Sequence, residues 1–412
     1  MNSEIRPARA SAGLSPIERA SVRAGVAAAE RIREGRLTVV LPDGSVRSFG
    51  PEEAALRAEM QIHDPGALTR ILLHGETGAG EAYMDGLWSS PDLGALLRLA
   101  ARERESLALT GGWFRVPAQL ARTVSHRLRR NTRAGSRRNI AAHYDIGNGL
   151  YRLFLDETLT YSSAVFQTPE QSLADAQRNK YRLVAAGARL APGDHVLEIG
   201  TGWGGFALYA AGELGCRVTS ITISTEQYEL ARERVRAAGL ETMVDIQLRD
   251  YRDVTGTYDA IVSIEMLEAV GAEYFATFFE TCDRALLPGG RLSVQVITFP
   301  DADYERQRRG ANWIQTYIFP GGLCPSLAVL EEATRDTRFL ITDVRDIASD
   351  YVRTLRAWRA RFMSHLAEVR ALGFDDRFIR MWEYYLALSE AGFATGISQD
   401  LQISFEKRRG IA

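Results

Sequence analysis

The residues best suited to chemistry gather in VLEIGTGWGG, Val196 to Gly205, where an apolar run holds Glu198 and Gly200, Gly202, Gly204 and Gly205 follow. Glycine at this density serves a chain that turns sharply or lets a ligand touch its backbone. The spacing fits GxGxxG, which seats a pyrophosphate at a helix N-terminus, and equally the looser GxGxG of other nucleotide binders. A dinucleotide site needs an acid about 20 residues further on for the ribose. Here the next apolar run ends in Thr222-Ile223-Ser224 instead. Glu198 would repel phosphate and attract a cationic amine or sulfonium, and Asp250, ending VDIQLRD, adds a second acid. The set therefore predicts a cradle for the sulfonium donor S-adenosylmethionine, built from Glu198, Gly200, Thr201, Gly202, Trp203 and Gly204 with Asp250 on the rim. A nicotinamide dehydrogenase and a non-catalytic lipid-binding protein are the rival readings.

A second pair of chemical groups is Glu265 and Glu268 in SIEMLEAVG. Three residues apart, they share a site if the strand has already turned into helix. Paired carboxylates raise one another's proton affinity. Glu265 also suits the acidic first turn of a helix, where it would have no chemical role. Cys216, Cys282 and Cys324 form no CxxC, which points to a reducing compartment without a disulfide frame or a zinc site.

Strands alternating with helices are needed to position these groups. HVLEIG, RVTSITIS, VDIQLRD, YDAIVSIEML, LLPGGRLSVQVITF (a turn, then a strand), FLITDVRDI and LQISFEKR read as seven strands. This predicts an α/β fold, a seven-stranded Rossmann-like methyltransferase core whose ligand lies at the strands' carboxyl ends. Ahead of it, GRLTVVLPDGSVRSFG alternates around Asp43-Gly44 as a hairpin, and ALRAEMQIHD continues it. A helix follows with Ser90 as N-cap and Pro91 at its first position. The chain thus divides into a small α+β domain (1–120), a basic linker (121–139) and the methyltransferase domain (140–412), the first serving lipid binding or dimerisation, with a homodimer as one assembly.

The linker carries Arg122, Arg127, Arg129, Arg130, Arg133, Arg137 and Arg138 and no acid. It is either a solvated connector or a contact for an anionic membrane surface, worth roughly 1 kcal/mol per basic residue. A net charge of −2 argues against nucleic acid as partner. The N-terminus lacks a secretory h-region and no uncharged apolar run reaches spanning length, so a cytoplasmic protein at the inner membrane face is expected.

HYDIGNGLYRLFLDETLTYSSAVF, LEIGTGWGG, TISTEQ, SIEMLEAVG and NWIQTYIFPGG together resemble the cyclopropane-fatty-acid synthases and mycolic acid methyltransferases, from about residue 140 to the end. HDPGAL and GEAYMDGLW resemble the smaller domain of the longer bacterial synthases. The resemblance implies transfer of a methyl group from S-adenosylmethionine to a cis double bond of a phospholipid acyl chain, giving a cyclopropane or, alternatively, a methylene- or methyl-branched chain of the 10-methyl type. It implies that Tyr161 and the glycine loop hold the methionine end, that Thr222, Ile223 and Gln227 contact the ribose, and that Tyr251 flanks the adenine. In that family the base is a bicarbonate held by a glutamate, a histidine, a tyrosine and backbone amides beside a cysteine and an isoleucine. The matching residues here are Glu268, Tyr351 and Ile297, with Ser163 at the cysteine position and Gln295 at the histidine position. Glutamine donates and accepts hydrogen bonds but carries no proton. The expectation is thus that Glu268, with or without bicarbonate, is the base and Glu265 is secondary. Trp313, Tyr317, Phe319, Trp358, Phe362, Trp382 and Tyr385 could line a tunnel whose ring faces attract the cation formed, and His143 could close the cofactor pocket.

Overall fold

The computed structural model describes residues 14–107, 146–308, 310 and 312–409; the arginine-rich segment and His143 lie outside them. The chain forms two compact units, neither continuous in sequence. One gathers Met1–Ser125, Gly310–Thr316 and Leu366–Thr395, and the other His126–Arg309, Tyr317–His365 and Gly396–Ala412. Two pieces expected in the methyltransferase domain thus belong to the N-terminal unit.

Ring packing inside the first unit explains why. The helix Asp376–Ala394 buries Trp382, Tyr384, Tyr385 and Leu386. Tyr384 meets Trp313 at 4.8 Å, Tyr83 at 5.5 Å and Trp88 at 6.4 Å between ring centres, and Arg98 pairs with the buried Glu390 at 2.6 Å. Trp313, Trp382 and Tyr385 are therefore core residues of this unit, where the sequence reading had them lining a tunnel. The unit's sheet has the order β2-β1-β3-β4, from β1 (Arg36–Val40), β2 (Val46–Phe49), β3 (Arg57–Ile62) and β4 (Trp88–Ser89). β1 and β2 form the expected hairpin, but β3 pairs parallel to β1. The next helix starts later than predicted, at Leu93, because Trp88 and Ser89 are drawn into pairing with Ile62 and Gln61. Asp92, not Ser90, is its cap and accepts from Ala95 N at 2.9 Å. A first helix, Pro16–Ala29, is opened by a capping box of Ser15 and Glu18 that the sequence reading passed over.

The second unit is a seven-stranded sheet in the order β10-β11-β9-β8-β5-β6-β7. Its strands are β5 (His195–Ile199), β6 (Arg217–Thr222), β7 (Val244–Leu248), β8 (Tyr258–Ile264), β9 (Leu286–Thr298), β10 (Phe339–Asp346) and β11 (Gln399–Lys407). β7, β6, β5, β8 and β9 run parallel, while β11 lies antiparallel between β9 and β10. Both faces are covered, so neighbouring side chains enter different cores: Leu197 and Ile261 pack with Phe278 and Phe279, and Val196, Ala260 and Val262 with Phe206 and Ala207. Pro288 to Gly290, expected as a turn before the fifth strand, instead bulge within β9, since Leu286 already pairs with Tyr258 and Arg291 with Ala260. Strand order reverses at β5, whose neighbours are β6 and β8, and this sets the carboxyl ends of β5 and β8 around one crevice. Among the described residues no helix is long and apolar enough to cross a membrane.

Candidate active site

The glycine loop leaves β5 with three left-handed glycines, Gly200 at φ 102°, Gly202 at φ 51° and Gly204 at φ 84°. A side chain at Gly200 would stand 3.0 Å from Met266 Cβ, so the loop lies directly on the turn after β8. Among the described residues nothing approaches Gly202 within 4 Å, and the loop is open there. That open backbone, at the end of β5 and ahead of the helix Gly205–Gly212, fits the adenosyl donor expected of it. Thr222 Oγ1 donates to Gln227 Oε1 at 2.9 Å and Ser224 caps the helix Thr225–Ala237, which fixes Thr222, Ile223 and Gln227 at the carboxyl end of β6. Tyr251 follows β7, its buried hydroxyl without a partner among the described residues.

Two expected acids have other work. Glu198 is 2 % exposed, accepts from Ser220 Oγ, and burial pushes it up to about 8. At neutral pH it offers a cation little charge, and it steadies the loop through Ser220, whose Oγ also hydrogen-bonds Thr201 Oγ1 at 2.7 Å. Asp250 caps the turn Tyr251–Asp253 and holds Arg252 through both carboxylate oxygens, at 2.8 and 2.6 Å.

Beyond Met266 lies a cluster of buried acids. Glu265 is not helical, as the pairing argument required; it sits at φ 46°, one residue past β8. Its Oε1 accepts from Ser163 N at 2.7 Å and Gln295 Nε2 at 2.8 Å, and its Oε2 from the Tyr351 hydroxyl at 2.8 Å. Glu268, on the single turn Leu267–Ala269, accepts from Ile297 N with Oε1, while its buried Oε2 has no partner among the described residues. Burial, reinforced by Glu265, pushes Glu268 up to about 8. Ser163, Gln295 and Tyr351 thus converge on Glu265, and Ile297 alone of the four reaches Glu268. The donors assigned to bicarbonate all end on these two carboxylates, so the residues present leave that ion no place.

The segment carrying Ser163 is pinned from two sides. From the helix Ala348–Ser364, Thr354 Oγ1 accepts from Ala164 N at 3.1 Å and Asp350 Oδ1 from Phe166 N at 2.9 Å. From the helix Leu173–Gly187, Gln177 donates to Ser162 O at 2.9 Å and Lys180 to Ser162 Oγ at 2.6 Å. Rings join the two halves of the site: Trp203 to Tyr151 at 4.7 Å, Tyr151 to Tyr161 and Tyr161 to Trp358 at 5.3 Å each, and Trp358 to Tyr351 at 6.1 Å.

Two members of the cluster escaped the sequence reading. Asp400, at the head of β11, is buried, accepts from Gln295 Nε2 at 3.3 Å and is pushed well up by burial and by Glu265 and Glu268. Lys180 is fully buried and lowered to about 8 by burial, an effect opposed chiefly by Glu265 and Asp400. Lys180 lies on the helix stripe shared with Gln177 and Val184, and a lysine on a buried stripe was the available signal.

The sequence model of the family described as mycolic acid cyclopropane synthetase matches residues 131–403. A tuberculostearic acid methyltransferase of Mycobacterium tuberculosis is 43% identical over 370 residues, covering 87% of this chain and 85% of its own. The cyclopropane-fatty-acyl-phospholipid synthase of Escherichia coli is 33% identical over 353 residues, covering 85% and 88%. Among solved structures, a mycolic acid cyclopropane synthase complexed with SAH and CTAB is 28% identical, with a TM-score of 0.62 over 66% of this chain and 98% of that one. The chain belongs to the mycolic acid cyclopropane synthetase family, and with it to the S-adenosylmethionine-dependent enzymes that methylate lipids.

Proposed function

From that membership we propose that the chain transfers the methyl group of S-adenosylmethionine to the cis double bond of an unsaturated phospholipid acyl chain. The observation that carries this reading is the contact of the glycine loop with the acid turn, Gly200 on Met266, which brings donor cradle and proton acceptors within one residue of each other. When bound, the donor would supply an electrophilic methyl on a sulfonium, which alkene π electrons can take when the two are held together. The residues' tasks follow. The glycine loop holds the methionine end, Thr222, Ile223 and Gln227 the ribose, and Tyr251 the adenine. Tyr161 and Trp358 offer ring faces to positive charge as it moves from sulfur to carbon. The acid cluster takes the proton that must leave.

Loss of a proton from the new methyl closes a cyclopropane, whereas loss from a neighbouring carbon leaves a branch. The family description and the Escherichia coli synthase support the ring. The relative of higher identity is named as a methyltransferase, and Gln295 with Ser163 alters the residues around the acceptor, which supports the branch. The arginines of 121–139 are proposed to bring the protein to anionic lipid at the inner membrane face. Mass spectrometry of phospholipids from bacteria expressing the protein tests both levels. A gain of one CH2 on unsaturated chains is expected, with fragmentation separating ring from branch; lipids unchanged in mass would end this reading.

A further inference from the structure

In this chain the donors that the resemblance assigns to a bicarbonate are spent on a side chain of its own. Ser163 N, Gln295 Nε2 and the Tyr351 hydroxyl reach the Glu265 carboxylate at 2.7, 2.8 and 2.8 Å, and Ile297 N reaches Glu268. A backbone N–H and an amide nitrogen can only donate, so Oε1 accepts from both. Asp400 accepts from the same Gln295 Nε2 at 3.3 Å, and burial together with Glu265 pushes its carboxyl well up. Lys180, buried on Ser162 Oγ at 2.6 Å, places a cation on the other side of this segment. These are the walls of an anion site whose anion is covalently attached.

The backbone agrees. Glu265 holds φ 46°, a conformation glycine adopts freely and other residues adopt at a cost. Strain of this kind persists where the surroundings impose it, and here they turn a carboxylate inward.

We infer that Glu265 is the resident anion of this site and the base of the reaction, so that the enzyme works without bicarbonate. The inference rests on the methyl-transfer reading above. In that reaction the alkene π pair forms the new C–C bond, the C–S bond breaks with its pair left on sulfur, and a cation remains on the other alkene carbon. A neighbouring C–H bond then breaks. Its pair closes the ring or a new double bond, and its proton passes to a Glu265 oxygen, to be given to water once product leaves. Glu268 is a poorer acceptor at neutral pH: burial and Glu265 hold it near about 8, so it already carries a proton there. The titratable groups acting on the pair are Asp400, Cys324, Lys180 and Tyr351.

The test uses the full chain with S-adenosylmethionine and vesicles of phosphatidylglycerol and phosphatidylethanolamine bearing oleoyl chains, in buffer purged of carbon dioxide. The wild type is expected to turn over at one rate before and after bicarbonate is added. Glu265→Gln keeps an acceptor for Ser163 and Gln295 but cannot take a proton, and should lose about 10²–10⁴ in kcat, the usual worth of a general base. Glu268→Gln should lose less turnover than Glu265→Gln at pH 7. Glu265→Gly, relaxed in its backbone, opens the seat, and formate or bicarbonate should restore part of its turnover. Calorimetry with S-adenosylhomocysteine establishes that each variant is folded. The inference falls if bicarbonate activates the wild type, if Glu265→Gln turns over normally, or if a folded Glu265→Gly gains nothing from either anion. Should the wild type add no carbon to any of these lipids, the methyl-transfer reading fails instead.

Discussion

Glu198 and Glu268 both lie in the folded protein with carboxyls raised from 4.5 to about 8 by burial. A carboxyl whose folded value is raised gives stability that is complete below its unfolded value and is lost as pH climbs to the folded one. Each should therefore weaken the fold steadily between about pH 4.5 and 8 and add no further slope above. Lys180 has the opposite sense: lowered from 10.5 to about 8, it costs stability below that value and returns it between about 8 and 10.5. Thermal melts of the wild type and Glu268→Gln from pH 5 to 8 check this. The variant's Tm should fall less across that range, and parallel curves would remove Glu268 from the account. Tyr351→Phe deletes a donor to a carboxylate and leaves Oε2 less satisfied, so kcat should drop by about tenfold, roughly 1–2 kcal/mol. Unchanged kcat with normal S-adenosylhomocysteine binding would mean that Tyr351 does not position Glu265.

At the scale of elements, the glycine loop separates stability from binding. An alanine at Gly200 would carry a side chain at φ 102°, and 3.0 Å from Met266. One at Gly202 would meet nothing within 4 Å, and its φ of 51° lies in the left-handed region that alanine can enter for about 1–2 kcal/mol. Gly200→Ala should therefore lower Tm markedly, whereas Gly202→Ala should leave the fold near wild type and weaken S-adenosylhomocysteine binding by tenfold or more. Calorimetry paired with melts decides it; equal affinity in Gly202→Ala would place the donor elsewhere. The left-handed bends at Gly200 and Glu265, after β5 and β8, are what turn two strand ends toward one crevice. Periodicity had located these strands, because a strand covered on both faces is a nearly unbroken apolar run. It could not locate the bends, since φ at one residue leaves no periodic trace.

At the scale of the whole molecule, the chain crosses between its two units more than once. A chain beginning at His126 would leave Tyr384 and Trp313 without Tyr83 and Trp88, and Glu390 without Arg98. Each large ring left exposed forfeits about 1.5–3 kcal/mol, against a total margin of about 5–15 kcal/mol. Such a chain should aggregate or melt without cooperativity; a soluble form with one sharp transition would show these contacts to be dispensable. The arginines of 121–139 also act at this scale. Replacing four of them with glutamate should weaken sedimentation with anionic vesicles at low salt and leave S-adenosylhomocysteine binding alone. Sedimentation unaffected by the change would assign the segment to a linker.

The sequence by itself determined the sheet, its order of elements, the donor loop and the family. These follow from patterns that repeat locally: apolar runs, glycine spacing, and short motifs whose members lie within a few residues of each other. It also delivered Ser163, Gln295, Ile297, Tyr351 and Glu268 as members of one site through resemblance, and Glu265 through its spacing from Glu268. Only the tertiary structure decided which carboxylate is the centre. Glu265 accepts from groups 30, 86 and 102 residues away, and it faces Asp400 and Lys180, which no local pattern connects to it. Hydrogen bonding and burial act through distance in space, so the ranking of two acids three residues apart is fixed by what the fold packs around each.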